Sequence, residues 1–152
     1  MEEKKSSILK GKKGLIVGIA NERSLAWGIA NCIHQHGGEL ALTYQNDALK
    51  KRIIPLATKV NSNNIYEFDI QNYEKTPSFF KNLYQDFGNL DFIVHAVAFS
   101  DKEELKGDYV DTTKNNFLNT MEISCYSFTA LIREALPFMN EKANFLTLSY
   151  YG

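Results

Sequence analysis

The sequence has no long apolar run and almost no net charge, and each shortage excludes a class of protein. No segment approaches the ~18 consecutive apolar residues of a membrane-spanning helix, and the charged start predicts no secretory signal. The formal net charge of -1 gives no reason to expect nucleic acid or a membrane surface as a partner. With 152 residues, the chain is predicted to form one domain with its own core.

Cysteine is also scarce. The two cysteines, Cys32 and Cys125, lie far apart within segments of helical pattern. No cysteine–histidine cluster has the spacing of a metal site, so we expect neither a metal nor a disulfide. The thiols are predicted to be reduced and buried, as in a cytoplasmic protein.

Short apolar segments alternate with helical patterns along the chain. Strands are predicted at Leu15–Ile19, Leu40–Tyr44, Ile65–Phe68, Phe92–Val97 and Phe145–Ser149. Helices are predicted at Ser24–His36, Asp47–Lys59, Tyr73–Phe87 and Thr113–Met139. Repeated strand–helix units favour right-handed crossovers, and apolar strands are typical of a sheet covered on both faces. The sequence therefore predicts an α/β fold with a doubly wound, Rossmann-like parallel sheet of strand order 3-2-1-4-5.

The segment after the first predicted strand is the most informative. Gly18 ends the apolar run Leu15–Val17, and Ser24 and Leu25 open the next helix. A glycine turn lets the backbone approach phosphate groups, and the free N–H groups of a helix start favour negative charge. The three-glycine spacing of the common dinucleotide fingerprint is absent, so an ordinary strand–turn–helix corner with a capping serine is the alternative.

Gln45 follows the second predicted strand, where a dinucleotide fold contacts the adenosine ribose. Its neutral amide can form a hydrogen bond with a hydroxyl, whereas a phosphorylated ribose would need a nearby base. Lys50, Lys51 and Arg52 lie within a helical pattern and are predicted to be solvated. The sequence therefore favours NADH over NADPH.

Two further segments follow predicted strands. Asp69 either accepts a hydrogen bond from an adenine amino group or caps the next helix, and Ile70 beside it offers an apolar wall. The small residues of the segment His95–Ser100 let the backbone pass close to a ribose, with a packing corner as the alternative. His95 lies near the expected crevice, and we expect a structural histidine with satisfied hydrogen bonds, with a catalytic histidine as the alternative.

Taken together, these segments resemble a known family, the bacterial enoyl-[acyl carrier protein] reductases. These are divergent members of the short-chain dehydrogenase/reductase superfamily. The matching segments, in order from Gly11 to Gly152, are GKKGLIVGIAN, LTYQN, LKGDYVD, ISCYSF and LTLSYYG. The resemblance implies an oxidoreductase of fatty acid biosynthesis that uses NADH to reduce the 2,3 double bond of an acyl chain on acyl carrier protein. A non-catalytic dinucleotide-binding or assembly module is the alternative.

The resemblance also implies roles for individual residues. Cofactor binding falls to Gly18, Ser24, Leu25, Gln45, Asp69, Ile70 and Val97. Ser100 would lie at the substrate entrance, and Tyr150 would be the first of two active-site tyrosines, with a packing aromatic as its alternative role. The family's second tyrosine and its lysine would follow Gly152. We therefore expect residues 1–152 to form a single dinucleotide-binding domain that is incomplete relative to the family and truncated after the fifth strand.

The same resemblance implies a homotetramer that is built partly through the long fourth helix. Its pattern predicts one apolar face and a second set of apolar residues elsewhere. The predicted face consists of Phe117, Met121, Phe128 and Leu131, and the second set of Ile123 and Ile132. One face would pack on the sheet and the other on a partner helix.

Overall fold

The computed structural model describes residues 7–149, which fold around one five-stranded parallel sheet of order β3-β2-β1-β4-β5. The strands are β1 (Lys13–Val17), β2 (Glu39–Tyr44), β3 (Asn64–Glu67), β4 (Leu90–His95) and β5 (Met139–Thr147). The α-helices are α1 (Leu25–Gln35), α2 (Asp47–Lys59), α3 (Thr76–Phe87), α4 (Lys114–Met121) and α5 (Ser127–Ala135). The predicted doubly wound sheet and its strand order are confirmed. No helix in this part of the chain is long and apolar enough to cross a membrane.

Helices cover both faces of the sheet because successive strand side chains point to opposite faces. In β1, Leu15 and Val17 join the core formed with α3 and α5, whereas Ile16 joins the core formed with α1 and α2. In β4, Ile93 and Val94 divide between the two cores in the same way. All five side chains are buried, so the central strands anchor both layers of helices.

The predicted helix Thr113–Met139 is wrong in its interior and at its end. The structure divides it into α4, a π-helical segment (Glu122–Tyr126) and α5. Helix α5 gives way to a short 3-10 turn at Leu136–Phe138. Pro137 in this turn has no N–H to continue the helical hydrogen bonds, which explains why the chain leaves the helix before Met139.

Strand β5 begins earlier than the predicted Phe145–Ser149 and contains an irregularity. Leu90 pairs with Met139, but the next registered pair is Phe92 with Asn144, so several residues of β5 bulge out. Lys142 within the bulge has a left-handed backbone, with φ of 61°. The first three residues of the predicted strand correspond to the regular part of β5 after the bulge, but β5 ends at Thr147, two residues before the predicted end.

The π-helical segment changes which side of the fourth helix faces the sheet. It adds roughly one residue to a turn, which rotates the following residues by about 100°. Ile123 and Leu131 are both buried, whereas Phe117 and Met121 are 44% and 43% exposed. The predicted grouping of Phe117, Met121, Phe128 and Leu131 on one face is therefore wrong, and α4 presents apolar side chains to the surface.

The predicted burial of the two cysteines is also wrong, because Cys32 and Cys125 are both exposed. On α1 the buried stripe consists of Ala26, Ala30 and Ile33, and Cys32 lies off this stripe.

His95, the last residue of β4, connects three elements inside the core. It is fully buried, with Nε2 2.8 Å from Ser127 Oγ on α5 and Nδ1 3.0 Å from Thr147 Oγ1 on β5. The Ser127 hydroxyl donates to the Ile123 carbonyl, so its oxygen accepts from His95 Nε2–H, and the Thr147 hydroxyl donates to Nδ1. Burial lowers the pKa of His95. His95 is therefore a neutral structural histidine, as predicted.

This burial makes the stability of the fold depend on pH. Unfolded His95 binds a proton below its ordinary pKa of about 6.5, whereas the folded chain keeps it neutral to a lower pH. The free energy of unfolding should therefore fall as the pH is lowered through about 6.5, as measured by urea unfolding followed by Trp27 fluorescence. His95→Gln should flatten this dependence, while His34→Gln serves as the matched control. An equally steep dependence in His95→Gln would assign the effect to another group.

Strand β5 forms an edge of the sheet within the described residues, since β4 is its one partner there. Its regular part, residues 144–147, contains neither charge nor proline, and Leu146 is 48% exposed. An uncharged edge with an exposed apolar side chain is a template for pairing with another chain.

We expect the 152-residue chain to form heterogeneous oligomers through this edge. Leu146→Lys should reduce their size, because a lysine on an edge strand opposes strand pairing. Dynamic light scattering at equal concentrations measures the effect. The matched control is Leu25→Lys, which places the same charge at a 74% exposed leucine of α1. An equal reduction by both variants, or a monodisperse unmodified monomer, would contradict pairing through β5.

Candidate functional site

A crevice opens at the carboxyl ends of the central strands. Strand β1 lies between β2 and β4, so the chain's crossovers run in opposite directions on its two sides. Crevices at such a switch point are the usual ligand sites of open parallel sheets. Gly18 follows β1, Gln45 follows β2 and Ala96 follows β4, which places the predicted site residues at this edge.

The backbone at position 18 passes so close to the backbone of Ala96 that only glycine can occupy this position. Its φ is 110°, and a Cβ atom there would lie 2.2 Å from the Ala96 carbonyl oxygen. The Ala96 N–H also donates to the Val17 carbonyl at 2.9 Å. A side chain at position 18 would therefore clash with main-chain atoms, and the glycine keeps this part of the crevice open.

The N-terminus of α1 opens beside this glycine. Ser24 occupies the N-cap position, but its hydroxyl donates to the Asn21 carbonyl at 2.6 Å and makes no cap hydrogen bond. Among residues 7–149, no acceptor is found for the backbone N–H groups of Leu25 and Ala26. Ser24 thus occupies the capping position that the alternative interpretation predicted, but its side chain does not form the capping hydrogen bond. The N–H groups of Leu25 and Ala26 are therefore available to an anion.

Two adjoining cavities make up the crevice, which we call the switch-point cleft. The larger has a volume of about 420 Å³ and includes Gln45 and Ile70 in its wall. The smaller, of about 240 Å³, includes Ser24 and Leu25. The walls of both cavities contain Gly18, Ala96, Val97 and Ala98. The structure thus brings six of the predicted residues together: Gly18, Ser24, Leu25, Gln45, Ile70 and Val97.

The wall of the larger cavity is mostly apolar, with polar groups near its rim. Val97, Ile70 and Leu49 contribute aliphatic surface, and Gln45 is exposed at the end of β2. Lys50 places its Nζ 5.4 Å from the centre of the Tyr44 ring. Like its neighbours Lys51 and Arg52, Lys50 is exposed, in agreement with the prediction for this part of α2.

Asp69 does not border the cleft. Its Oδ1 accepts a hydrogen bond from the Gln71 N–H at 3.0 Å, which forms a tight turn after β3. The alternative role of Asp69 as a helix cap is wrong, because α3 begins only at Thr76. Asn72, and not Asp69, accepts the hydrogen bond from the Lys75 N–H at the start of this helix. Gln71, which the sequence reasoning missed, does border the larger cavity, as does Asn119 of α4.

The structure also separates Ser100 from the cleft. Ser100 lies in the wall of another cavity, of about 470 Å³, beside α4. Its Oγ accepts from Nδ2 of the buried Asn116 at 3.1 Å, while Asn116 Oδ1 accepts from the Asp101 N–H. Tyr150 lies outside the described residues. Within residues 7–149, no cluster of histidine, cysteine or acidic residues could hold a metal ion.

This arrangement suits an extended ligand with an anionic centre. The free N–H groups of α1 and the glycine turn can bind phosphate oxygens, the neutral amide of Gln45 can bind hydroxyl groups, and the apolar walls can hold flat rings. Comparison with known proteins identifies the family. Residues 18–152 match the sequence profile of the family described as Enoyl-(Acyl carrier protein) reductase.

Relatives with established names agree with this match. The chain is 46% identical over 147 residues to a protein of Rickettsia bellii named enoyl-[acyl-carrier-protein] reductase [NADH] FabI, covering 97% of this chain and 56% of the relative. A crystal structure of the Anaplasma phagocytophilum reductase in complex with NAD has a TM-score of 0.92 at 50% identity, covering 96% of this chain and 56% of that one.

A second solved structure is the Bacillus cereus enoyl-acyl carrier protein reductase with NADP+ and indole naphthyridinone. It has a TM-score of 0.90 at 36% identity and covers 95% of this chain and 57% of that one. The chain therefore spans about half the length of the relatives that it matches. On this evidence of sequence and fold, the chain belongs to the enoyl-[acyl carrier protein] reductase family.

Proposed function

We propose that this chain supplies the dinucleotide-binding part of an enoyl-[acyl carrier protein] reductase that uses NADH. The observation that carries the proposal is the approach of Gly18 to Ala96 beside the free N–H groups of α1. The names of the relatives and the NAD-bound Anaplasma structure support the same cofactor and the same reaction. The reaction is the reduction of the 2,3 double bond of an enoyl chain during fatty acid biosynthesis.

Each part of NADH would contact its own set of residues in the switch-point cleft. The N–H groups of Leu25 and Ala26 would bind the pyrophosphate, with Ser24 at the turn and Gly18 leaving room for it. Gln45 would bind the adenosine ribose, because its amide can pair with hydroxyl groups.

The two ends of the dinucleotide have separate walls. Ile70 would cover the adenine, with Asp69 holding the turn beside it, and Val97 would contact the ribose on the nicotinamide side. Bound NADH would supply the hydride for the carbon beta to the thioester carbonyl. We propose that Tyr150 lies near the enolate oxygen, where a fixed donor stabilises the charge that develops in the transition state. Ser100 would lie at the entrance for the substrate.

The proposed partners are the acyl carrier protein that carries the substrate and further copies of this protein in a homotetramer. Exposed Phe117, Leu118 and Met121 on α4 support a partner at this surface, since a run of apolar side chains favours burial against another chain. Neither nucleic acid nor a membrane is proposed, given the net charge of -1. We also propose a cytoplasmic location, where Cys32 and Cys125 stay reduced.

One observation favours a second function, a dinucleotide-binding module without catalysis. Tyr44 is the one ionisable side chain in the wall of the larger cavity within residues 7–149, and polar groups there are otherwise neutral hydroxyls and amides. The one ionisable donor in this wall, Tyr44, lies at the end of β2 beside Gln45, not beside Val97, so the described part of the cleft contains groups for binding and orientation but no proton donor at the nicotinamide end.

The first prediction concerns the choice of cofactor. The neutral Gln45 at the ribose end should give the chain a lower dissociation constant for NADH than for NADPH. Gln45→Arg should shift the ratio of the two constants toward NADPH by about tenfold or more, because a guanidinium pairs with the additional phosphate. Quenching of Trp27 fluorescence measures both constants.

The matched control is Gln35→Arg, which adds the same charge to exposed α1 surface away from the cleft. It should leave the ratio unchanged if the effect belongs to the ribose site. Equal affinities of the unmodified chain for NADH and NADPH would contradict the proposed preference.

The second prediction concerns catalysis. The 152-residue chain should bind NADH but should not oxidise it in the presence of crotonyl thioester, because the family's second tyrosine and lysine are absent from its sequence. A fusion of this chain to the C-terminal part of the Rickettsia bellii relative should be tetrameric and active. In that fusion, Tyr150→Phe should lower kcat by roughly 10²-fold.

Absorbance at the nicotinamide band measures the rate, and light scattering measures the assembly. Substrate-dependent oxidation of NADH by the 152-residue chain would show that the missing groups are dispensable. A fusion that binds NADH but stays inactive would favour the non-catalytic function.

A further inference from the structure

The chain between β4 and α4 begins with a short segment that forms one wall of the switch-point cleft. Ala96, Val97 and Ala98 border both cavities of the cleft, and Phe99 borders the larger one. None of these four residues belongs to a helix or a strand. The position of the wall therefore depends on how the segment is held at its two ends.

The first end of this wall is held by β1 and the second by the π-helical segment. The Ala96 N–H donates to the Val17 carbonyl at 2.9 Å. At the other end, Ser124 Oγ accepts from the Phe99 N–H at 3.0 Å and donates to the Phe99 carbonyl at 3.3 Å. One hydroxyl thus satisfies both backbone polar groups of Phe99. Within residues 7–149, no further hydrogen bond holds the backbone between these two anchors.

A different side chain holds the residues that follow the wall. Asn116 Oδ1 accepts from the Asp101 N–H at 3.0 Å, and Asn116 Nδ2 donates to Ser100 Oγ at 3.1 Å. Ser100 borders the cavity beside α4 and not the switch-point cleft. The two anchors on the helix therefore serve different cavities, because Ser124 holds the wall of the cleft and Asn116 holds the loop beyond it.

We propose that Ser124 is a positioning residue that holds the cleft wall against the nicotinamide half of the dinucleotide. Ser124 borders neither cavity of the cleft, so it acts through the backbone of Phe99. Val97 lies two residues before this anchor, at the place where the proposed function puts the ribose next to the nicotinamide. The inference rests on the proposed binding of NADH and adds a residue that affects one half of that ligand.

The other half of the dinucleotide has contacts that Ser124 does not support. The N–H groups of Leu25 and Ala26, which would bind the pyrophosphate, belong to α1, and Gln45 follows β2. Loss of the Ser124 hydroxyl leaves two backbone groups of Phe99 without their partner, and they exchange it for water as the wall moves. Affinity should therefore fall for a ligand that reaches this wall and not for one that ends at the pyrophosphate.

The test compares NADH with ADP, which contains the adenosine and the pyrophosphate but lacks the ribose and nicotinamide beyond them. Isothermal titration calorimetry gives both dissociation constants for the 152-residue chain. The unmodified chain should bind NADH about tenfold or more tightly than ADP. Ser124→Ala should weaken NADH binding by about fivefold and leave ADP binding unchanged. A mere loss of folded protein would weaken both ligands equally and leave their ratio unchanged.

Further variants separate the hydroxyl from the space that it fills. Ser124→Thr keeps the hydroxyl and should keep the ratio of the two constants. Ser124→Cys has a similar size but only a weak donor and acceptor, so it should lower the ratio as Ser124→Ala does. The matched control is Ser78→Ala, which removes an exposed hydroxyl that donates to the Lys75 carbonyl on α3 and should change neither constant.

The outcomes distinguish this inference from the proposed function. If the unmodified chain binds neither ligand, the proposed function fails and the inference fails with it. If the chain binds NADH, the inference alone is overturned by equal affinities for NADH and ADP or by an unchanged ratio in Ser124→Ala. Asn116→Ala releases Ser100 and Asp101 but not Phe99, so it should keep the ratio.

An equal fall of the ratio in Asn116→Ala would assign the effect to general loosening of the loop and would also overturn the inference. Circular dichroism checks the fold of each variant. If Ser124→Ala does not fold, Ser124→Cys decides the outcome by the same ratio.

Discussion

The approach of Gly18 to the Ala96 carbonyl sets the geometry on which the cleft depends. With no Cβ at position 18, β1 and β4 stay paired up to Val17 and His95, and the chain can turn directly into α1. A larger residue would force the two strands apart at the level where their ends form the cavity wall. The same contact therefore supports the sheet, the placement of the α1 N-terminus and the room for a ligand.

The far side of the cleft depends on the π-helical segment. Ile123 borders the larger cavity, and Ser124 Oγ accepts from the Phe99 N–H at 3.0 Å, which ties the segment after β4 to this helix. Below it, Ser127 and Thr147 bind the two nitrogens of His95. An extra residue in the helical turn thus lets neighbouring side chains serve the cavity wall and the buried polar network, a common use of π-helical turns.

Whether the sequence predicts a feature depends on how far apart in the chain the interacting residues lie. The strands and α2 were predictable, because apolar segments and helical periods are local patterns. The faces of α4 and α5 were not, since a single π turn changes the period without a mark in the residues around Ile123. Gln71 was missed for a similar reason, because only the turn made by Asp69 brings its side chain to the cavity.

The sequence by itself determined the order of strands and helices, the glycine turn at Gly18 and the neutral residue at Gln45, since these depend on residue type and nearest neighbours. The tertiary structure decided which residues share a cavity. It separated Ser100 from the cleft, withdrew Asp69 into a turn, and joined Gln71 to Asn119 across 48 residues of chain. Such contacts form between elements that meet only when the sheet assembles, so no local pattern encodes them.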